Sequence, residues 1–82
     1  METKSEILDF LDTLVKALVD DKTQVSTKLI HDENRKLIFS IQTAALDMPR
    51  LIGVEGKNIK AIKCLMNCLG TKNKYKINVV VT

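Results

Sequence analysis

Two glycines, Gly53 and Gly56, bracket Val54 and Glu55, and cations gather around them: Arg50 before the pair, Lys57, Lys60 and Lys63 after it. The chemistry this pattern supports is anion capture. Glycine has no Cβ, so the backbone can turn sharply and a phosphate can approach it closely. Apolar Leu51 and Ile52 lie before the turn, and Ile59 and Ile62 follow at helical spacing. The turn therefore joins two helices. The second helix would begin with unpaired N–H groups pointing at the anion. A bare glycine pair at this spacing also serves as a plain helix-to-helix turn, so the elements around it decide between the two.

Other chemistries find little support. His31 has no second histidine to join it, and its neighbours are Asp32 and Glu33 at a strand end. No metal site is expected from that set. Cys64 and Cys68 are four apart, which is not a CxxC spacing. They read as small buried or half-buried apolar residues of a reduced compartment. Asp9 and Asp12 fall on the exposed side of a helix and read as a solvated face rather than an acid/base pair. A non-catalytic protein without cofactor or metal is the expectation.

The positioning elements follow from periodicity. Ile7, Leu11, Leu14 and Leu18 recur at three- and four-residue steps, predicting a helix over 4–20, and Thr3 with Glu6 forms a capping box at its start. Residues 24–31 and 36–42 predict two strands. Val25, Thr27 and Leu29 share one face of the first, and Leu37, Phe39 and Ile41 one face of the second. The residues between them, Asp32-Glu33-Asn34-Arg35, carry turn chemistry and close a hairpin. A short helix starts near Leu46 or Asp47, takes Pro49 in its first turn and ends at Gly53. A longer helix covers 57–69 with Gly70 as its C-cap, and a last strand covers 74–81. The order is α-β-β-α-(GXXG)-α-β in one domain over 1–82, an α+β chain. Burying its apolar sides gives a three-stranded mixed sheet with helices on one face and a parallel return of the last strand.

Charge is unevenly spread. Residues 1–35 hold five cations and eight carboxylates, a net −3, and residues 36–82 hold eight against two, a net +6. A basic half beside an acidic half suits a polyanion-binding face. No stretch is long and apolar enough to span a membrane. The charged N-terminus, Glu2, Lys4 and Glu6, lacks a signal-peptide core, which points to the cytoplasm.

The run Asp47-Met48-Pro49-Arg50-Leu51-Ile52-Gly53-Val54-Glu55-Gly56-Lys57-Asn58-Ile59-Lys60-Ala61-Ile62 resembles the GXXG region of small bacterial single-KH proteins of the KhpA type. Leu18-Val19-Asp20 and the element order extend the likeness to residues 4–82. The resemblance implies a type II KH fold and a cytoplasmic bacterial protein that binds single-stranded RNA in post-transcriptional regulation. It also implies self-association or pairing with another KH-containing protein. On that basis the RNA path comprises Arg50, Ile52, Gly53, Val54, Glu55, Gly56, Lys57, Asn58, Ile59, Lys60 and Lys63. Ile52 and Ile59 would floor the groove, and Lys63 serves either as a phosphate contact or as solvated helix face. Lys74 and Lys76 either edge the groove or face water. Two departures stand out: members usually carry Lys or Arg between the glycines where this chain has Val54 and Glu55, and Pro49 replaces a common glycine. A carboxylate in the loop opens a second reading, a KH scaffold for protein contacts with weakened RNA affinity. Phe10, Val15, Cys64, Leu65, Cys68 and Leu69 are surplus apolar positions that would supply its surface.

Overall fold

A computed structural model describes residues 2–82. The expected order is observed: α1 (Lys4–Leu18), β1 (Ser26–Glu33), β2 (Lys36–Gln42), α2 (Met48–Ile52), α3 (Lys57–Asn73) and β3 (Lys76–Val81). The sheet order is β1-β2-β3, with β1 antiparallel and β3 parallel to the central β2.

The capping box forms. Thr3 Oγ1 accepts from the Glu6 amide and Glu6 Oε1 accepts from the Thr3 amide, each at 3.1 Å. From there Ile7, Leu11 and Val15 point into the core with no exposed surface. They meet Leu37, Phe39 and Ile41 of β2 and Ile77 and Val79 of β3, with Leu51, Ile62 and Met66 from the other helices. Each such side chain contributes about 1.5–3 kcal/mol by leaving water. The helices cover only the face that these residues share, so the alternate residues of the strands form a helix-free face.

Several boundaries differ from the sequence reading. Helix α1 stops at Leu18, because Val19 turns extended to bury its side chain. Lys22–Gln24 forms a 3-10 turn, so β1 starts two residues late and runs on to Glu33. The hairpin turn is then only Asn34 and Arg35, both at positive φ (51° and 63°). That is the two-residue geometry that suits the twist of a hairpin. Arginine is an unusual occupant, and tertiary contacts hold it there. Its Nε and Nη2 donate to the Lys74 and Asn73 carbonyls at 2.9 and 2.8 Å, and its guanidinium lies 4.2 Å from the centre of the Tyr75 ring.

Gly70 is not the C-cap of α3. The helix continues to Asn73 and ends on Lys74 in the left-handed conformation, φ 63°. The Tyr75 amide donates back to the Gly70 carbonyl at 2.7 Å, closing a Schellman-type end. Glycine is needed at 70 for space: a Cβ there would lie 2.6 Å from the Tyr75 carbonyl and 3.0 Å from Ile77. It lets the chain fold back from α3 into β3.

The surplus apolar positions also sort differently. Val15 is fully buried and Leu69 half-buried, whereas Phe10 and Leu65 are exposed. Cys64 and Cys68 are both exposed, contrary to the expectation of burial. The inward stripe of α3 runs through Ile59, Ile62, Met66 and Asn73, and a residue two places on from Ile62 points the opposite way.

Candidate nucleic-acid interface

The loop between α2 and α3 is built from three unusual backbone conformations in four residues. Gly53 has φ 79° and ψ 169°, a region essentially reserved for glycine. Glu55 (φ 58°) and Gly56 (φ 74°) are both left-handed. The two glycines are required for different reasons. A Cβ at Gly53 would lie 2.8 Å from both the Asn58 amide nitrogen and Asn58 Cγ, so space as well as dihedral excludes a side chain. At Gly56 the nearest atom to an added Cβ is Lys60 Cε at 3.7 Å, so only the dihedral favours glycine.

Asn58 locks the joint. Its Nδ2 donates to the Arg50 carbonyl at 2.7 Å, tying the first turn of α3 to the last of α2. The Gly53 amide donates to the Pro49 carbonyl at 2.9 Å and the Gly56 amide to the Gly53 carbonyl at 3.1 Å. The loop is thus fixed by its own hydrogen bonds before any ligand arrives.

The start of α3 is electrostatically open. Gly56 has no side chain to cap the first turn, and that turn contains no acid. Lys57 and Lys60 stand there instead, cations at the positive end of a helix dipole, an arrangement that favours an incoming anion. Among the described residues Lys57, Lys60 and Lys63 form no ion pair. Lys60 Nζ folds back to donate to the Glu55 carbonyl at 3.3 Å, which places its charge over the turn. Val54 is 78% exposed at the loop tip, and the Glu55 carboxylate is exposed beside it. Ile52 and Ile59 are half-buried, as residues that join core to surface must be.

The other predicted cations lie differently. Arg50 is engaged: Nη2 pairs with Asp20 at 3.1 Å and Nη1 reaches Asp47 at 3.4 Å. Its guanidinium faces the end of α1. Lys74 and Lys76 are at the far end of α3, about 25 Å from the loop by the rise of a 17-residue helix. They do not edge this site.

Asp47 has a role that the sequence reading missed. The residue is 2% exposed, and its side chain accepts from the Asp20 and Asp21 amides at 3.1 and 3.0 Å. One carboxylate thereby caps the loose end after α1 and fixes where α2 begins. No local pattern reveals partners 26 and 27 residues away. The Asp21 and Asp20 amides, with Arg50 adding less, hold the Asp47 carboxyl below its ordinary range. The Glu2 carboxyl is lowered to about 2, chiefly by the Lys72 ammonium and then by Asn73. Carboxyls lowered by folding bind fewer protons folded than unfolded. Their stabilisation is therefore complete above the unfolded value near pH 4 and disappears as pH falls through the folded value. Thermal melts should show a Tm that is flat above about pH 5 and descends below about pH 4. Asp47→Asn should lower the plateau and make the descent shallower. A variant melting with the wild-type profile at every pH would remove Asp47 from this role.

The α-β-β-α-α-β order, the mixed sheet and the glycine loop between two helices together define a type II KH domain. Over residues 8–81 the chain matches the family described as KhpA/KhpB, KH domain. Relatives named RNA-binding protein KhpA are similar along most of their length. That of Chlamydia caviae is 32% identical over 73 residues, covering 89% of this chain and 92% of the relative. That of Caldanaerobacter subterraneus is 30% identical, with 89% and 96% covered. That of Listeria monocytogenes is 32% identical over 69 residues, with 84% and 90% covered. The chain belongs to the KhpA/KhpB KH-domain family. No solved structure matches it significantly.

Proposed function

We propose that this protein is a non-catalytic single-stranded RNA-binding module of bacterial post-transcriptional regulation, acting in the cytoplasm. The observation that carries the reading is the start of α3: a pre-formed glycine turn, a helix end with no side-chain cap, and Lys57 and Lys60 with no counter-ion among the described residues. The names of the relatives agree with it. Gly53 to Gly56 would meet the sugar-phosphate, Lys57 and Lys60 would pair with phosphates, and Asn58 would hold the turn in shape. Ile52 and Ile59 would support bases, while Val54 touches the strand from the tip. Lys63, one turn further along, reaches only a longer strand. Arg50 contributes least, since Asp20 and Asp47 already engage it.

Titration of a fluorescent, unstructured ten-nucleotide RNA tests this. A KH loop clamps about four nucleotides, so log K should fall against log salt with a slope of about −3. Equal affinity for a duplex, or binding indifferent to salt, would overturn it.

A second reading has one observation behind it. A groove between α1 and α3, lined by Leu14, Ala17, Leu18, Ala61, Ile62 and Leu65, lies open near the loop. It would receive a second copy of this chain or another KH protein. Sedimentation at tens of micromolar distinguishes this reading, which a strictly monomeric protein with no KH partner would remove.

A further inference from the structure

The helix-free face of the sheet carries charge that the fold does not use. Lys36 and Lys76 are register partners on β2 and β3, with their side chains on that face. Like charges directly opposite one another on neighbouring strands weaken a sheet. Across β2, Glu33 is in register with Lys36, yet neither lysine forms an ion pair among the described residues. The next row is His31, Ile38 and Asn78. His31, Lys36, Leu37, Ile38, Lys76 and Asn78 line a concavity of about 170 Å³. Asn78 Oδ1 accepts from the Val79 amide at 2.9 Å, which leaves its NH2 as the end for a ligand. Lys28 lies one row further on, in register with Ser40. The site presents donors and cations around Ile38, with the Glu33 carboxylate at its edge beside Lys36.

We infer that this face is a second phosphate-contact surface for single-stranded RNA, at the end of the molecule opposite the glycine loop. The inference rests on the RNA-binding reading above. Charge distribution favours a nucleic acid over an acidic protein segment. Lys57, Lys60 and Lys63 stand toward one end of α3, and Lys74 and Lys76 beyond the other, where Lys72 is already paired with Glu2. A polymer with one charge per nucleotide engages both ends, whereas a short acidic peptide engages one. The separation of about 25 Å corresponds to roughly seven nucleotides at 3.4 Å each. A strand clamped over four nucleotides at the loop therefore reaches the sheet only when it is much longer than the clamp. Two weak contacts on one strand reinforce each other through effective concentration.

The experiment compares Lys36→Gln/Lys76→Gln with the wild type, on a six-nucleotide and a twenty-nucleotide unstructured RNA. The variant should melt no lower than the wild type, since it removes a repulsion. Its affinity for the hexamer should be unchanged. Its affinity for the 20-mer should fall roughly five- to tenfold at low salt, with a salt slope shallower by about 1.4, the equivalent of two phosphates. Unchanged 20-mer binding alongside normal hexamer binding would overturn the inference and leave the loop reading intact. Unchanged 20-mer binding together with lost affinity for poly-glutamate would assign the face to an acidic protein instead. A wild type that binds neither RNA would remove the loop reading and this one together.

Discussion

Gly56→Asp is expected to abolish RNA binding while the protein remains folded. The position tolerates a side chain sterically, since an added Cβ has no neighbour nearer than 3.7 Å. Its left-handed dihedral, φ 74° and ψ 18°, is one that aspartate adopts more readily than most residues. The new carboxylate would sit at the mouth of α3, where a phosphate is expected. At about 5 Å and an effective dielectric of 40–80, each phosphate is repelled by about 1 to 1.5 kcal/mol. Two phosphates make the loss roughly thirty- to 150-fold. Gly56→Asn has nearly the same shape and no charge, and should keep most of the affinity. Anisotropy titration measures the binding, and circular dichroism checks that both variants fold. Equal affinity of the Asp and Asn variants would place the RNA elsewhere. Gly53 is the wrong position for this experiment, because its Cβ would strike Asn58 at 2.8 Å.

Glu55→Lys should act in the opposite direction and tighten binding about five- to tenfold. Glu55 is exposed within the loop, and its left-handed backbone holds the side chain beside the turn. At about 6 Å from a phosphate, its charge costs about 1 kcal/mol. Lysine removes that term and adds one contact, so the salt slope should steepen by about 0.7. The backbone strain is the same for both side chains, so stability should barely change. Glu55→Gln isolates the repulsion and should give most of the gain, about fivefold. Affinity that is unchanged or lower in Glu55→Lys would take the loop off the phosphate path.

Much of this was readable from the chain. The stripe Ile7, Leu11 and Val15 gives α1, the alternation Leu37, Phe39 and Ile41 gives the central strand, and Thr3 with Glu6 marks a helix start. These are short-range patterns, set by residues within one or two turns of each other. The loop was readable because Gly53 and Gly56 stand between two helical stripes. What escaped was long-range. Gly70 looks like a helix end, and only the approach of Tyr75 shows why glycine stands inside the helix. Arg35 would not be placed at positive φ without the Asn73 and Lys74 carbonyls that hold it. Cys64 and Cys68 have apolar side chains, but the phase of α3 turns them to solvent. Within the site, Arg50 looks like a phosphate ligand until Asp20 and Asp47 are seen beside it.

The two borders of the sheet are unequal as templates for another chain. β1 forms one border, and its pairing with β2 slips between Leu29 and His31, leaving Ile30 as an extra residue. Such a bulge bends the strand and interrupts the row of backbone groups that a neighbour would copy. Charged Lys28, Asp32 and Glu33 guard it further. β3 forms the other border, pairs regularly with β2 and ends in Val79-Val80-Val81. Only Lys76 and the polar Asn78 interrupt its apolar character. Amyloid-like or strand-swapped association is therefore directed to β3, and Val80, half-buried on the open side, is where one added charge would suppress it.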